Sequence, residues 1–174
     1  MIYYVTKAYD ELYFVTSVPD RAEWMTPESW STRGDIAELR AAYTGFHPEV
    51  QAVLAAAPEV YKWALFERDP LPRWHESRVV LLGDACHPMT PYMAQGAASA
   101  LEDAAVLARC LDQVDRDGLG HAFRVYEATR KPRASAIQAG SSRNTWLRGD
   151  TDPAWVYGYD ATSVPLMENV TGDA

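Results

Sequence analysis

The sequence is short of cysteine, of basic residues and of long apolar runs. Two cysteines stand among 174 residues, Cys86 and Cys110, and their spacing gives no zinc site, so we expect reduced thiols in a cytoplasmic protein. The formal net charge of −8 argues against nucleic acid and against an anionic membrane surface as partners. No apolar run approaches the roughly 20 residues that span a bilayer, and the first residues lack the pattern of a secretory signal.

Two common functional motifs are also missing. A dinucleotide-binding turn has three glycines in a GxGxxG pattern after a strand, but here Gly118 and Gly120 are followed by Phe123 at the third position. No GxSxG elbow supports a serine hydrolase. The sequence therefore contains no complete signature for dinucleotide phosphates or for a serine nucleophile.

The apolar fraction of 48% is enough for a hydrophobic core, and the length suits one domain or parts of two. Aromatic and β-branched residues at 2–6 and 11–15 predict a hairpin. An Asp-x-x-Glu capping box at Asp35 predicts the start of one helix, and Pro48 opens a second. Residues 61–67 return to a strand pattern.

The proline-rich segment 69–73 interrupts this pattern and is the predicted crossing between two domains. We divide the chain into residues 1–68, residues 69–160 and a frayed tail of residues 161–174. A long helix, kinked at Pro132, is predicted within the second part. Strands and helices together indicate the α/β class.

The most informative stretch is residues 78–111. Residues 79–82 form a short continuous apolar run, which is typical of a strand buried on both faces. A turn at Gly83 and Asp84 ends the run, a loop with two prolines follows, and from Ala97 the apolar residues have helical spacing. In α/β sheets, ligands bind between the carboxyl end of a strand and the start of the next helix. This stretch therefore predicts a ligand site.

Asp84 can accept hydrogen bonds from ligand hydroxyls or bond neighbouring amides in an Asx turn, and on its own the structural reading is favoured. The loop changes this balance because Pro88 and Pro91 fix the backbone direction, as a rigid surface for a flat ligand requires. Gly96 and Ala97 leave the helix start bare, so its amides and positive dipole end can approach an anionic group. A phosphate, a carboxylate or the electron-rich end of a reduced flavin suits such a site.

Other polar and aromatic residues have simpler interpretations. The acidic pair Glu102 and Asp103 on a helix is typical of a solvated face. Arg130 and Arg133 are expected to pair with the excess of acidic groups in preference to binding phosphate. Trp63 and Trp74 are expected in the core.

Residues 83–111, GDACHPMTPYMAQGAASALEDAAVLARCL, closely resemble the second flavin-binding motif of the FAD-dependent aromatic hydroxylases. These single-component flavin monooxygenases include salicylate hydroxylase. The flanking stretches 63–82 and 126–144 agree with the family in the same order, and the wording MTPYMAQGAA is similar to its 6-hydroxynicotinate 3-monooxygenase branch.

The resemblance implies a flavin site in this motif. Gly83 would belong to it, Asp84 would accept hydrogen bonds from the ribityl chain of FAD, and Pro91 would lie beside the isoalloxazine ring. Backbone amides would stabilise the negative charge of the reduced flavin at its N1/C2=O edge. These are the amides around Gly96, Ala97 and Ala98.

Three residues are catalytic candidates from the same resemblance: His87, Tyr92 and Tyr3. A base or hydrogen-bond acceptor near the ring hydroxyl of the substrate would assist hydroxylation. His87 has the alternative of a satisfied loop histidine. Tyr3 and Tyr4 are strand neighbours that point to opposite faces, so only one can line the pocket, and we favour Tyr3.

The implied fold is an α/β fragment, also describable as α+β: the carboxyl-terminal part of the hydroxylase fold without its amino-terminal Rossmann βαβ unit. Residues 1–68 would belong to the substrate-binding sheet domain and residues 69–160 to the FAD-binding domain. The implied reaction is hydroxylation of a small aromatic or N-heteroaromatic acid, similar to salicylate or 6-hydroxynicotinate. NADH or NADPH would be the reductant and molecular oxygen the oxidant. A fragment is expected to bind FAD poorly and turn over little.

Two other hypotheses stay open. The chain could be a non-catalytic remnant or partner-binding module that associates with itself, or with the missing amino-terminal half, through apolar surface. Asp84 and His87 could instead ligate a metal in a hydrolase, although no further carboxylate or histidine cluster lies near them in sequence.

Overall fold

The computed structural model describes residues 2–5, 12–17, 29, 31–143 and 152–168. The chain divides into two compact units, residues 1–64 and residues 65–174. In the part of the chain that the structure describes, no helix combines the length and the apolar character needed to cross a bilayer.

The first unit begins with a two-stranded antiparallel hairpin. Strand β1 (Ile2–Val5) pairs with β2 (Leu12–Val15), and Ile2 lies opposite Val15. The predicted hairpin is therefore confirmed, while the polar turn between its strands lies outside the described residues.

Two short helices follow, α1 (Ile36–Ala42) and α2 (Pro48–Ala56). The Asp35 carboxylate caps α1 by accepting hydrogen bonds from amides of its first turn at 2.7 and 3.3 Å. The guanidinium of Arg40 donates to carbonyls at the end of α2, including that of Leu54 at 3.0 Å. The Leu54 side chain is fully buried. Both predicted helices are confirmed, because local capping signals were sufficient to specify them.

The strand predicted over residues 61–67 is wrong. Tyr61 forms only an isolated antiparallel bridge with Arg33, and no strand is formed over residues 62–67. The backbone beside it is paired for a short distance only, since Lys62 donates to the Thr32 carbonyl at 3.0 Å. An aromatic and apolar pattern cannot form a strand without a continuous partner. Trp63 within this segment is half-buried, so it is not a core residue as predicted.

The second unit has a small hairpin, β3 (His75–Glu76) with β4 (Val79–Val80), paired antiparallel. The prediction of a strand buried on both faces at 79–82 is wrong, because β4 has two residues and Val79 is 63% exposed. Among the described residues, β3 is the one strand that pairs with β4, so β4 lacks the neighbours that would bury it.

Three helices complete this unit: α3 (Gly96–Leu111), α4 (Leu119–Arg143) and the short α5 (Pro153–Tyr157). The predicted helix from Ala97 and the long helix are confirmed. Helix α4 runs through Pro132 without a break, and a kink there stays a prediction.

The core of this unit lies between β4, α3 and α4. Trp74 is 1% exposed, as predicted, and packs with Cys86, Val106 and Tyr126. Ala161 is buried in the same cluster, so the packed chain extends beyond residue 160, where the frayed tail was predicted to begin. The domain assignment of residues 1–68 and 69–160 stays a prediction.

Candidate functional site

The turn that leaves β4 is held in an unusual backbone conformation. Gly83 has φ +59°, in the left-handed region that glycine adopts without steric cost. A Cβ atom at this position would lie 3.1 Å from the Cβ of Ala100 on α3. The Gly83 carbonyl accepts hydrogen bonds from the amides of Cys86 and His87, both at 3.0 Å. Glycine at this position therefore allows the turn to lie directly against α3.

Asp84 lies exposed on this turn, beside the start of α3. A Cβ added to Gly96 would lie 4.0 Å from Oδ1 of Asp84, so the carboxylate and the first residue of the helix share one surface. The side chain of the N-cap residue Gln95 makes no capping hydrogen bond, Ala97 is exposed, and Ala98 is half-buried. The arrangement combines one hydrogen-bond acceptor with amide donors at the positive end of a 16-residue helix dipole.

The loop between the turn and α3 is fixed to α4. The side-chain amide of Gln138 donates to the Pro88 carbonyl at 2.8 Å, and the hydroxyl of Ser141 donates to the Thr90 carbonyl at 2.5 Å. Met93 is buried and packs against Ile137. Hydrogen bonds as well as prolines therefore hold this loop.

Pro91 is exposed at the beginning of a single 3₁₀ turn in this loop, and Tyr92 is half-buried next to it. The structure therefore presents the predicted proline on the surface of the same unit as Asp84 and Gly96. Tyr3 belongs to β1 in the other unit, where its backbone lies opposite Phe14, and its side chain lies outside the description.

His87 lies in the interior. It is 1% exposed, its ring lies 5.2 Å from that of Trp74, and Nε2 is 2.6 Å from Oδ2 of Asp103. These contacts favour the alternative reading of His87 as a buried loop histidine, which is bonded through Nε2, while its Nδ1 has no hydrogen-bond partner among the described residues.

A buried group of charges lies behind the turn. Asp103 is fully buried and accepts hydrogen bonds from the Gly83 amide at 2.9 Å and from Nε of Arg130 at 2.8 Å. Arg130 also reaches Glu102 at 2.7 Å, and Arg133 binds the same carboxylate at 2.9 Å. The expected pairing of both arginines with acidic groups is confirmed, but the solvated face predicted for Glu102 and Asp103 is wrong. Asp103 is buried because three donors compensate its desolvation.

These contacts determine the ionisation of the buried pair. Burial opposes the charged form of Asp103, yet hydrogen bonds from His87, Gly83 and Arg130 hold the pKa of that carboxyl below its ordinary value. Burial likewise opposes the charge on Arg130, but its hydrogen bond to Asp103 raises its pKa. The structure therefore supports an ionised pair beneath the turn.

Cys86, His87 and Asp103 bring possible ligand atoms within 4.8 Å of one another. Burial raises the pKa of the Cys86 thiol to about 12, so the thiol stays protonated at neutral pH. Asp103 already binds three donors. The pair predicted for a metal hydrolase is also separated, because Asp84 is exposed whereas His87 is buried. This donor set does not fit a metal ion.

Sequence reasoning did not assign a role to the residues that hold the loop and turn: Asp103, Gln138 and Ser141. A signal was present on α4, where Tyr126, Arg130, Ala134, Ile137 and Ser141 share one face at helical spacing and all are buried. Polar residues within such a stripe indicate specific buried hydrogen bonds.

Comparisons with known proteins agree with this geometry. A family model described as an FAD binding domain matches residues 16–141. The 6-hydroxynicotinate 3-monooxygenase of Bordetella bronchiseptica is 53% identical over 168 residues, covering 97% of this chain and 43% of that protein. A 3-amino-4-hydroxybenzoate 2-monooxygenase of Streptomyces platensis is 40% identical, covering 82% of this chain and 40% of that protein.

Among solved structures, a salicylate hydroxylase substrate complex is similar with a TM-score of 0.72 at 28% identity, covering 83% of this chain and 41% of that one. The resemblance predicted from residues 83–111 is therefore confirmed. The chain spans less than half the length of the relatives that it matches.

Proposed function

Because the chain belongs to the family of FAD-binding domains, we propose that its turn at Asp84 and the start of α3 form part of a flavin site. One observation carries this proposal. An exposed carboxylate lies beside a helix start where glycine leaves room for a ligand, and the N-cap side chain, that of Gln95, does not bond the helix amides.

The residues present fit an isoalloxazine and its ribityl chain. Asp84 would accept hydrogen bonds from ribityl hydroxyls, and Gly83 would let the turn approach the cofactor. Pro91 would form the flat surface beside the ring. Amides of Gly96, Ala97 and Ala98 would face its electron-rich edge, where they favour a negative charge.

Bound FAD would supply the redox chemistry, with NADH or NADPH as reductant and molecular oxygen as oxidant. By similarity to the relatives named above, the substrate class is a small aromatic or N-heteroaromatic acid that becomes hydroxylated. This chain would contribute the groups that bind and polarise the flavin, and the further length of the relatives would contribute the rest. A cytoplasmic location is supported by the two buried, free cysteines, Cys86 and Cys110.

Tyr92 is the catalytic candidate that its position favours, because it is half-buried next to the exposed Pro91. Tyr3 stays a candidate for a substrate contact. His87 is better suited to holding the turn than to touching substrate, since it is buried and bonded to Asp103.

Titration of the isotope-labelled chain with FAD, followed by amide NMR, tests the proposal and detects weak binding. We expect shifts of the amides at Asp84 and Gly96 and no shifts in α2. Asp84→Ala should weaken FAD binding by about tenfold, the order of one hydrogen bond to a charged group. Shifts confined to other parts of the chain would contradict the proposal.

Gly96→Val should also weaken binding, because the added side chain fills the space beside Asp84. Two matched controls are Asp112→Ala, an exposed carboxylate after the end of α3, and Gly120→Val, which places the same side chain in the first turn of α4. Neither control should alter FAD binding. Equal losses in Gly96→Val and Gly120→Val would show that general damage to helix starts explains the effect.

A second candidate function is a partner-binding module without catalysis. Its support is the exposed apolar stripe of α3, in which Leu101 is 73% exposed, together with Val79 at 63%. A colourless chain that self-associates would favour this reading. Flavin absorption and NADH oxidation stimulated by an aromatic acid would favour the hydroxylase.

A further inference from the structure

A buried carboxylate on α3, that of Asp103, holds the turn that carries the exposed Asp84. One oxygen of Asp103, Oδ2, accepts hydrogen bonds from the Gly83 amide at 2.9 Å and from Nε2 of His87 at 2.6 Å. Gly83 and His87 are the two ends of a tight turn, and they are also joined by the hydrogen bond from the His87 amide to the Gly83 carbonyl at 3.0 Å. Asp103 therefore binds both ends of the segment that presents Asp84.

The other oxygen of Asp103 fixes the carboxylate itself. Oδ1 accepts a hydrogen bond from Nε of Arg130 at 2.8 Å, and Arg130 is fully buried on α4. The guanidinium is held in turn by Glu102 at 2.7 Å. Both oxygens thus have fixed donors, so the carboxylate cannot turn without breaking charge-assisted hydrogen bonds.

Stability alone does not require an ion pair at this position. A well-packed apolar replacement for a buried ion pair is often neutral or stabilising, because the ion pair must first be desolvated. An apolar side chain, however, cannot accept a hydrogen bond from the Gly83 amide. This amide, which belongs to a residue in the left-handed region beside the proposed flavin surface, would then be unpaired.

We propose that Asp103 is a positioning residue, which acts through the Gly83–His87 turn to set the position of the Asp84 carboxylate relative to the amides of α3. This inference rests on the proposed function, since it concerns the same flavin site. It assigns to a buried residue that touches no ligand a part of the affinity for FAD.

A double-mutant cycle tests the inference. Asp103→Asn keeps the shape of the side chain, but it places an NH₂ donor where the neighbouring groups are themselves donors. We therefore expect about tenfold weaker FAD binding. Asp84→Ala alone should have an effect of the same order. If Asp103 acts through Asp84, the double variant should bind FAD no more weakly than Asp84→Ala by itself. Additive losses in the cycle would overturn the inference.

A measurement without flavin separates this inference from the proposed function. In the amide NMR spectrum, Asp103→Asn should move the resonances of Gly83, Asp84 and Gly96, whereas Asp112→Asn should leave them in place. If the unmodified chain gives no shifts with FAD, the proposed function fails, while the movement of these resonances still tests the conformational link. Unmoved resonances would overturn the inference.

Should Asp103→Asn fail to fold, His87→Phe provides the same test, because it removes one donor and leaves the Asp103–Arg130 pair intact. We expect about threefold weaker FAD binding and movement of the Asp84 resonance. The loss should again vanish in the Asp84→Ala background. A loss of equal size in both backgrounds would contradict the proposed role.

Discussion

The two long faces of α3 depart from the usual distribution of polar and apolar groups, because the buried face is mixed and the exposed face is apolar. The buried face carries Ser99 and Asp103 together with Val106 and Cys110. The exposed face carries alanines and leucines only: Ala97, Leu101, Ala104, Ala108 and Leu111. A helix of an isolated globular domain normally places its apolar stripe inward. Hydrogen bonds hold Asp103 on the buried face, and the exposed apolar face has no partner among the described residues.

This difference separates two functions of one helix. Its inner face fixes the turn before it through Asp103, so the polar groups there are structural in the first instance. Its outer face starts at the proposed flavin site, at Gly96 and Ala97, and continues as an apolar stripe. We interpret the stripe as the surface that the further length of the relatives would cover.

Removing the partner of Asp103 on the inner face of α3 should give the largest loss of stability. Arg130→Met removes the partner of a fully buried carboxylate, and we expect the free energy of unfolding to fall by about 3–5 kcal/mol. Arg116→Met, at an exposed position, should change it by less than about 0.5 kcal/mol. Urea denaturation followed by circular dichroism measures both. A loss below about 1 kcal/mol in Arg130→Met would show that the pair contributes little to the inner face.

A smaller loss is expected where the inner face meets the turn. Gly83→Ala must adopt φ +59° and bring its Cβ within 3.1 Å of Ala100, which should lower the free energy of unfolding by about 2–3 kcal/mol. Gly45→Ala is the matched control, because Gly45 has φ +85° but nothing within 4 Å of the added Cβ. Its loss should be limited to about 1 kcal/mol. Equal losses, each measured on the transition of its own unit, would contradict a role for the contact with Ala100.

The sequence predicted the local elements of this fold well. The cap at Asp35, the proline at Pro48 and the change of period near Ala97 each gave a helix that the structure confirms. The sequence failed for the strands at 61–67 and 79–82, because a strand depends on partners that are distant in sequence. Local patterns specify helices, whereas pairing specifies strands.

The candidate site was predicted on its outer side only. Asp84 and Gly96 were found from their position between a strand and a helix, and the structure places them on one surface. Asp103 was misread as solvated, since a carboxylate is rarely buried and its donors come from a turn 20 residues earlier and a helix 27 residues later. No local pattern gives such long-range compensation.

Low pH should reduce the contribution that Asp103, on the inner face of α3, makes to the stability of the chain. Because its hydrogen bonds hold the pKa of Asp103 below the ordinary value of 3.8, the ionised carboxylate binds protons less readily in the folded than in the unfolded chain. Its stabilising contribution is therefore present above that value and is lost as the pH falls through the lower folded pKa. The difference in stability between the unmodified chain and Asp103→Asn should narrow below about pH 4. Urea midpoints measured from pH 7 to pH 3 check this, and a constant difference would contradict it.

The outer face should tolerate polarity with the smallest change in stability. Leu101 is 73% exposed, so Leu101→Ser should change the free energy of unfolding by less than about 0.5 kcal/mol. The same substitution at the fully buried Val106 should be strongly destabilising, which makes it the matched control. If the chain self-associates through this stripe, Leu101→Ser should also reduce the average molecular mass measured by sedimentation, because it interrupts a continuous apolar surface. If the chain is monomeric with and without the substitution, the outer face does not bind a second copy of the chain. Flavin binding at the amino end of α3 would then be the one function assigned to this face.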